Sequence, residues 1–445
     1  MTDAPSFDAP AGHIVGWRDG AVIRATGIRY ARATRFRPPI PEPRSLTTID
    51  ATQWAPACAQ AAHELGTDIV GSPLRPLTTT EDCLRLSITM PGDVRPGDAR
   101  PVMVWVHGGS YVFGAGDAAI FDPRSLVEEQ GVIVVAVTYR LGLFGFLGDS
   151  NGRAANAGLL DIVSALRWIN TNIQAFGGAP DCVTVFGQSA GGDAIAHLMI
   201  AAETQGLFRR AIIQSAPLGI SLGRRKMTEA MLKMAAQVAH DAPTEEVIAA
   251  QSSVLSAAQG FGWPASMPFG TQYGHHPLPS EETIDAAWSR YAPSFDVLIG
   301  FAASEGSFFI PLIEPVRRAS RLPLIGGALR RFVVRTITQK VYASAAARFA
   351  QRHADGGGRA YTYCIDWGSK TNGFGATHAI DLPLLFGDER SWSGAELVKG
   401  IEWDDIHRSG RLVRKLWAQF ASSGSLADQG VEPNVLSYKR VRGRE

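Results

Sequence analysis

The sequence predicts an α/β protein: a large, mostly parallel central sheet flanked by helices. Three observations carry that reading. Continuous β-branched apolar runs suit strands buried on both faces, segments of helical period alternate with them, and glycines punctuate the changes from one to the other.

Residues 102–107 (VMVWVH) and 132–138 (VIVVAVT) are the two clearest strands, with a Gly-rich turn and a short helix at 125–130 between them. Residues 159–176 carry apolar side chains at helical spacing and stop at Gly177-Gly178, a C-terminal signal. A short strand is expected at 183–186, a helix at 193–202, and later strands at 207–214 and 296–300. Residues 224–259 read as helical and Ala-rich, and 261–279 as loop. Residues 317–340 hold Arg317, Arg318, Arg321, Arg330, Arg331, Arg335 and Lys340. Such a segment is either an amphipathic, membrane-touching flap or a solvated helical excursion, and the base rate for charged helix faces favours the second.

Composition narrows the function. The 445 residues are 45% hydrophobic, enough for a large core, and no linker or repeat divides them, so one domain over 1–445 is expected. The 43 basic and 42 acidic residues leave a formal charge of +1, which favours neither nucleic acid nor an acidic membrane. The first twelve residues hold no Lys or Arg and no apolar run of signal-peptide type. No stretch approaches a membrane span, so a cytoplasmic location without stable membrane insertion is expected. Four cysteines are too few for a disulfide scaffold. Cys182 and Cys364 read as buried small apolar side chains.

Gly187-Gln188-Ser189-Ala190-Gly191 follows a predicted strand and precedes a predicted helix, the setting in which GxSxG is a nucleophile elbow. Side chains at the flanking positions would collide where strand and helix approach closely, so both glycines have a steric cause. The helix that follows aims N–H groups at the reacting oxygen. His107-Gly108-Gly109-Ser110-Tyr111, directly after a strand, can free backbone N–H groups for a developing oxyanion. Alone, that Gly-Gly would be a simple turn; together with the elbow it points to acyl transfer on an α/β-hydrolase fold.

With these residues on the page, the chain resembles the type B carboxylesterase family, which includes the cholinesterases. GIRYA (27–31), RFRPP (35–39), EDCLRLSI (81–88), HGGSYVFGAG (107–116), TYRLGLFGFL (138–147), the 156–178 segment and VTVFGQSAGG (183–192) come in the family's order. The resemblance implies a triad of Ser189, Glu305 (in Ala303-Ser304-Glu305-Gly306) and His378 (in Gly375-Ala376-Thr377-His378), in the chain order this fold uses. It further implies oxyanion donors at the backbone N–H of Gly109, Ser110 and Ala190. Ser215 resembles a serine that braces the acid, although an ordinary strand-end serine is as good a reading. Cys58 and Cys83 match a pair that closes a loop in secreted members; here they are expected reduced or only partly bridged. Arg35 with Glu81, and Arg140 with Asp161, resemble the family's buried ion pairs.

Two departures bear on substrate. Gln188 stands where many members have glutamate, and the loop between Cys58 and Cys83 contains no Trp, Tyr or Phe to floor a cation–π site. A choline ester is therefore a poor fit. The chain is also short between Ser215 and Glu305.

The expected partner is a small to medium ester, cleaved through an acyl-enzyme, with no nucleic acid partner and with the protein a monomer or small homo-oligomer. No metal or organic cofactor is expected: His275-His276 has no third ligand at metal spacing, and Gly356-Gly357-Gly358 lacks the Lys-Ser/Thr of a phosphate loop. The rival readings are a non-catalytic binding member of the fold, an amide or carbamate hydrolase, and a lipase using 317–340 as its contact surface.

Overall fold

The structure is a computed structural model that describes residues 4–61, 69–71, 77–149 and 152–444. Its centre is an 11-stranded sheet. In chain order the strands are β1 (Trp17–Asp19), β2 (Val22–Arg29), β3 (Arg85–Pro91), β4 (Arg100–Val106), β5 (Ile133–Val137), β6 (Gly178–Gln188), β7 (Arg210–Gln214), β8 (Asp296–Ala302), β9 (Arg359–Ile365), β10 (Gln429–Glu432) and β11 (Leu436–Val441). Across the sheet they lie in the order β10-β11-β9-β8-β7-β6-β4-β5-β3-β2-β1. The six strands from β9 to β5 run parallel. Both flanks are antiparallel.

The apolar runs read from the sequence have a direct cause. On β4, Val102, Val104 and Val106 face one core while Met103 and Trp105 face the other. On β5, Ile133, Val135 and Val137 share the first core, and Val134 and Ala136 the second. A strand covered on both sides can use neither alternate position for a polar residue.

The first core is closed by α1 (Ala157–Asn172) and α2 (Ala190–Leu198), and the second by α3 (Trp403–Ser423), whose Trp417 is fully buried. β6 is 11 residues long where a short strand was expected, because Gly178 at its start still pairs with Arg100 of β4. The helix expected at 193–202 begins instead at Ala190, immediately after the elbow.

The helical stretch 224–259 is two helices, Arg225–Ala235 and Thr244–Ser256, parted at Pro243, whose ring cannot continue a helix from the residues before it. The basic segment forms helices Glu314–Ala319 and Gly326–Ile337, then a π-helical turn, Thr338–Ala343.

Of four structural expectations, those for Arg35 with Glu81 and for Cys182 and Cys364 need correction. Arg140 and Asp161 are a buried pair, with Nη2 2.6 Å from Oδ1 and side chains 4% and 0% exposed. Arg35 and Glu81, by contrast, are only partly buried, with side chains 18% and 26% exposed; Arg35 donates to the Ala242 carbonyl and the Thr244 hydroxyl donates to Glu81. Cys182 and Cys364 are half-buried: the first follows exposed Asp181 on β6, just before the strand becomes fully buried at Val183, and the second alternates outward on β9. Cys58 and Cys83 are buried free thiols, and the neighbouring Cys58 thiol together with burial pushes Cys83 well above the usual thiol range.

Candidate active site

The site forms where β6 gives way to α2, at the carboxyl ends of the parallel strands, where open α/β sheets place their ligands. Ser189 sits between them at φ 57° and ψ −123°, a backbone state that L-residues avoid unless their surroundings impose it. The surroundings do so here. The Ser189 N–H donates to the Gln214 carbonyl at 2.8 Å, and the Ser189 carbonyl accepts from Asp193 N–H at 2.9 Å.

The flanking glycines are enforced by the neighbouring strand. A Cβ on Gly187 would lie 2.4 Å from the Val106 carbonyl oxygen. One on Gly191 would lie 2.0 Å from the same atom and 2.8 Å from the His107 carbonyl. These are backbone atoms of β4 and its exit, and they cannot swing aside.

The loop after β4 lies over the elbow. A Cβ on Gly108 would meet Cβ of Ser189 at 3.2 Å, so the two chain segments are in contact. Gly109, Ser110 and Tyr111 all have positive φ (109°, 54° and 62°), which turns the backbone sharply. Among the described residues the Gly109 and Ser110 amides donate to no protein acceptor. Ala190 is the first residue of α2, where amides lack intrahelical acceptors. These amides lie on segments that adjoin Ser189.

Two side chains brace this loop. Tyr139 donates to the His107 carbonyl at 2.6 Å, and Tyr111 to Asp193 Oδ2 at 2.7 Å. His107 itself is fully buried, and burial lowers it to about 4, so its ring is neutral and structural.

Glu305 and His378, 73 residues apart in the chain, meet. Glu305 Oε2 lies 2.5 Å from His378 Nδ1, and Glu305 Oε1 accepts from the Ala302 N–H at 2.8 Å. Both side chains are buried, at 0% and 7% exposure. The backbone at Ala302 therefore braces the acid. The expected contact from Ser215 is not made: Ser215 turns to φ 48°, its amide donates to the Gly300 carbonyl at 2.8 Å, and its hydroxyl reaches no partner among the described residues.

The far side of the imidazole meets Gln188. Gln188 Nε2 lies 3.2 Å from His378 Nε2. In the neutral tautomer whose Nδ1 donates to Glu305, Nε2 presents its lone pair and the Gln188 amide is the donor. No hydrogen bond joins the Ser189 hydroxyl to His378 among the described residues.

Several neighbours escape sequence reasoning. The rings of Phe308, Phe309 and Tyr342 lie 5.6, 5.5 and 5.1 Å from that of His378, and they shield the imidazole from water. Asp381 is buried three residues beyond it and accepts from the Gln214 side chain. Burial raises Asp381 to about 6, and the Glu305 charge adds to the rise. One signal for it is visible in the chain: a lone carboxylate inside the apolar run Ala379-Ile380-Asp381-Leu382.

No group of three or more His, Cys, Asp or Glu among the described residues is placed to hold a metal ion, and no described helix is long and apolar enough to cross a membrane.

The profile of the carboxylesterase family matches residues 3–321. The chain is 35% identical over 428 residues to a probable N-octanoylanthranilate hydrolase of Rhodococcus erythropolis, covering 94% of this chain and 93% of the relative. It is 31% identical over 468 residues to the para-nitrobenzyl esterase of Bacillus subtilis, covering 94% and 90%. A solved para-nitrobenzyl esterase superposes with a TM-score of 0.81 at 27% identity, covering 98% of this chain and 97% of that one.

Proposed function

The chain belongs to the carboxylesterase family and is a carboxylic ester hydrolase, and from that premise we propose that it works through Ser189, His378 and Glu305 by way of an acyl-enzyme. The observation that carries the proposal is the buried 2.5 Å contact between Glu305 and His378 beside the strained turn at Ser189.

In the proposed cycle, His378 Nε2 takes the Ser189 proton as Oγ attacks the ester carbonyl, and Glu305 holds the imidazole and balances the charge it gains. The amides of Gly109, Ser110 and Ala190 stabilise the tetrahedral oxyanion, each such donor counting for about 10²–10³ in rate. His378 then protonates the departing alcohol. A water deprotonated by the same base attacks the acyl-enzyme and releases the acid. Each proton passes through the one imidazole, the last returning from His378 to Ser189 Oγ as the acid departs, and the cycle calls for no cofactor step.

Small to medium esters are the proposed substrates. A second reading, amide hydrolysis, draws on the relative named for N-octanoylanthranilate, whose cleaved bond is an N-acyl amide. The machinery is the same, and the leaving group is selected by the shape of the cleft.

The test is turnover of a panel of para-nitrophenyl acyl esters, together with N-octanoylanthranilate, by native protein and by Ser189→Ala. The expected result is hydrolysis favouring short to medium acyl chains and a loss of about 10⁴-fold or more in the variant. Variant turnover close to native would remove Ser189 from its role. A folded native protein that turns over nothing in the panel would favour a binding function instead. Rate against substrate concentration through the solubility limit separates out the lipase reading, which requires a jump there.

A further inference from the structure

Among the described residues, thirteen large apolar side chains are exposed, and seven of them fall within residues 312–332. Leu324 is 103% exposed, Phe332 68%, Ile325 60% and Leu322 50%. Scattered singly, such residues need no explanation; concentrated on one segment, they mark a contact surface.

The pattern is specific. Ile325, Leu329 and Phe332 follow at i, i+4 and i+7 along the helix Gly326–Ile337, which places them on one face. Arg331 and Arg335, also i and i+4, are exposed beside them. The opposite face of the helix is already occupied: Gly326 and Ile337 are buried, and a Cβ on Gly306 would meet the Val334 backbone at 2.5 Å. The exposed apolar face is therefore the outer one.

Charge identifies what covers it. Residues 312–337 contain six arginines (317, 318, 321, 330, 331 and 335) and one acid, Glu314, a net of +5. Glu314 pairs with Arg317 and Arg318. Arg330 donates to the Gly373 carbonyl. Arg321, Arg331 and Arg335 form no ion pair among the described residues. Two copies meeting by this face would set arginines against arginines, since a two-fold contact pairs the same patch with itself. A surface both apolar and anionic satisfies both features.

We infer that residues 312–337 form a peripheral docking surface for an anionic lipid assembly, with the Leu and Phe side chains entering the headgroup boundary and the arginines meeting lipid phosphates. The attachment is peripheral, because no described helix can span a bilayer. The inference is independent of ester hydrolysis: it concerns where the protein sits, and its test is binding.

The test is co-sedimentation with vesicles of phosphatidylcholine alone and of phosphatidylcholine with phosphatidylglycerol in equal parts, at low and high salt. Native protein is expected to partition at least about tenfold more onto the anionic vesicles, and high salt is expected to weaken that preference. Each arginine near an anionic surface contributes about fivefold, so Arg331→Glu/Arg335→Glu is expected to lower partition by about 25-fold or more. Leu324→Ser/Phe332→Ser is expected to lower it by about tenfold or more. Both double variants should keep the native thermal midpoint and native turnover of a soluble ester.

Equal partition onto neutral and anionic vesicles overturns the inference, as does native-like binding by either double variant. So does a native dimer that Leu324→Ser/Phe332→Ser dissociates while no vesicle is bound, since the face then belongs to a second copy. Loss of ester turnover in native protein would strike the proposed catalysis and leave this result standing.

Discussion

The side-chain amide of Gln188 lies 3.2 Å from His378 Nε2, the atom that would take the proton from Ser189. The proposed general base is thus capped by the residue preceding the proposed nucleophile in the chain. For acyl transfer to begin, the Ser189 hydroxyl has to replace that amide at the lone pair. A neutral hydrogen bond is worth about 0.5–1.5 kcal/mol net, which corresponds to about two- to tenfold in rate. Gln188→Met keeps the length of the side chain and removes the donor. It is therefore expected to raise kcat/KM on a soluble para-nitrophenyl ester by about two- to tenfold. A fall in kcat/KM with an unchanged thermal midpoint would show that Gln188 helps the reaction, and the capping argument would fail.

The elbow makes a sharper demand on sterics than on chemistry. Alanine at 191 puts a methyl 2.0 Å from the Val106 carbonyl oxygen, and neither strand nor helix can yield independently. Overpacking of that kind costs about 1–3 kcal/mol, so Gly191→Ala is expected to lower the thermal midpoint by about 1–3 °C in a chain of this length and to misplace Ser189. Gly394 has open space around it and ordinary φ, so Gly394→Ala is the control and should behave as native. Differential scanning calorimetry with an ester assay reads both. Gly191→Ala with native stability and native turnover would refute the steric reading.

Arg140 and Asp161 raise a question of architecture. The guanidinium reaches Asp161 with Nε at 2.8 Å and Nη2 at 2.6 Å, and a further Nη1 bond goes to the Arg37 carbonyl at 2.7 Å. Removing one partner leaves an unpaired buried charge, at a cost of about 3–5 kcal/mol. Arg140→Met is expected to lose that much in denaturant unfolding, while Arg140→Met/Asp161→Leu is expected to recover a good part of it. A double variant no better than the single one would mean that the arginine acts through the Arg37 bond and its packing.

How much of this was legible in the chain depends on how local each feature is. The elbow is a five-residue steric problem, so its glycines announce it. The strands β4 and β5 are equally legible, because burial on both faces writes itself as an unbroken apolar run. The meeting of Glu305 and His378 is a long-range fact of topology, and only resemblance to a family pointed to it. What resemblance left out is packing detail. Nothing in the spacing says that Tyr342 would reach His378 from a π-helical turn, that Gln188 would cap it, or that the Ala302 amide would brace Glu305 in place of Ser215. The amphipathic, basic character of residues 317–340 is legible, but which of their apolar side chains stay exposed is not, for a related reason. Periodicity locates an amphipathic helix, but only the fold decides which face is already occupied.

Asp381 offers a test in which the sign of a pH effect decides. Burial raises its carboxyl to about 6, and the Glu305 charge adds to the rise. Its Oδ2 accepts from Gln214, while its Oδ1 is buried without a partner among the described residues. In the unfolded chain the same carboxyl titrates at about 3.9. Between about pH 4 and 6 the native state therefore holds a proton that the unfolded state has lost. Stability from this group falls as pH rises through that window and is level above it. The magnitude is on the order of 2–3 kcal/mol, from a shift of about two units at 1.36 kcal/mol each. Asp381→Asn mimics the protonated form, retains an oxygen for Gln214, and has nothing to titrate. The stability of the Asp381→Asn variant relative to native should accordingly increase from about pH 4 to 6 and then hold constant to about pH 8. Denaturant unfolding of both proteins across that range measures it. A gap that stays flat, or that narrows as pH rises, would mean that Asp381 is ionised in the folded protein. Glu305 would then share the neighbourhood of His378 with a second negative charge.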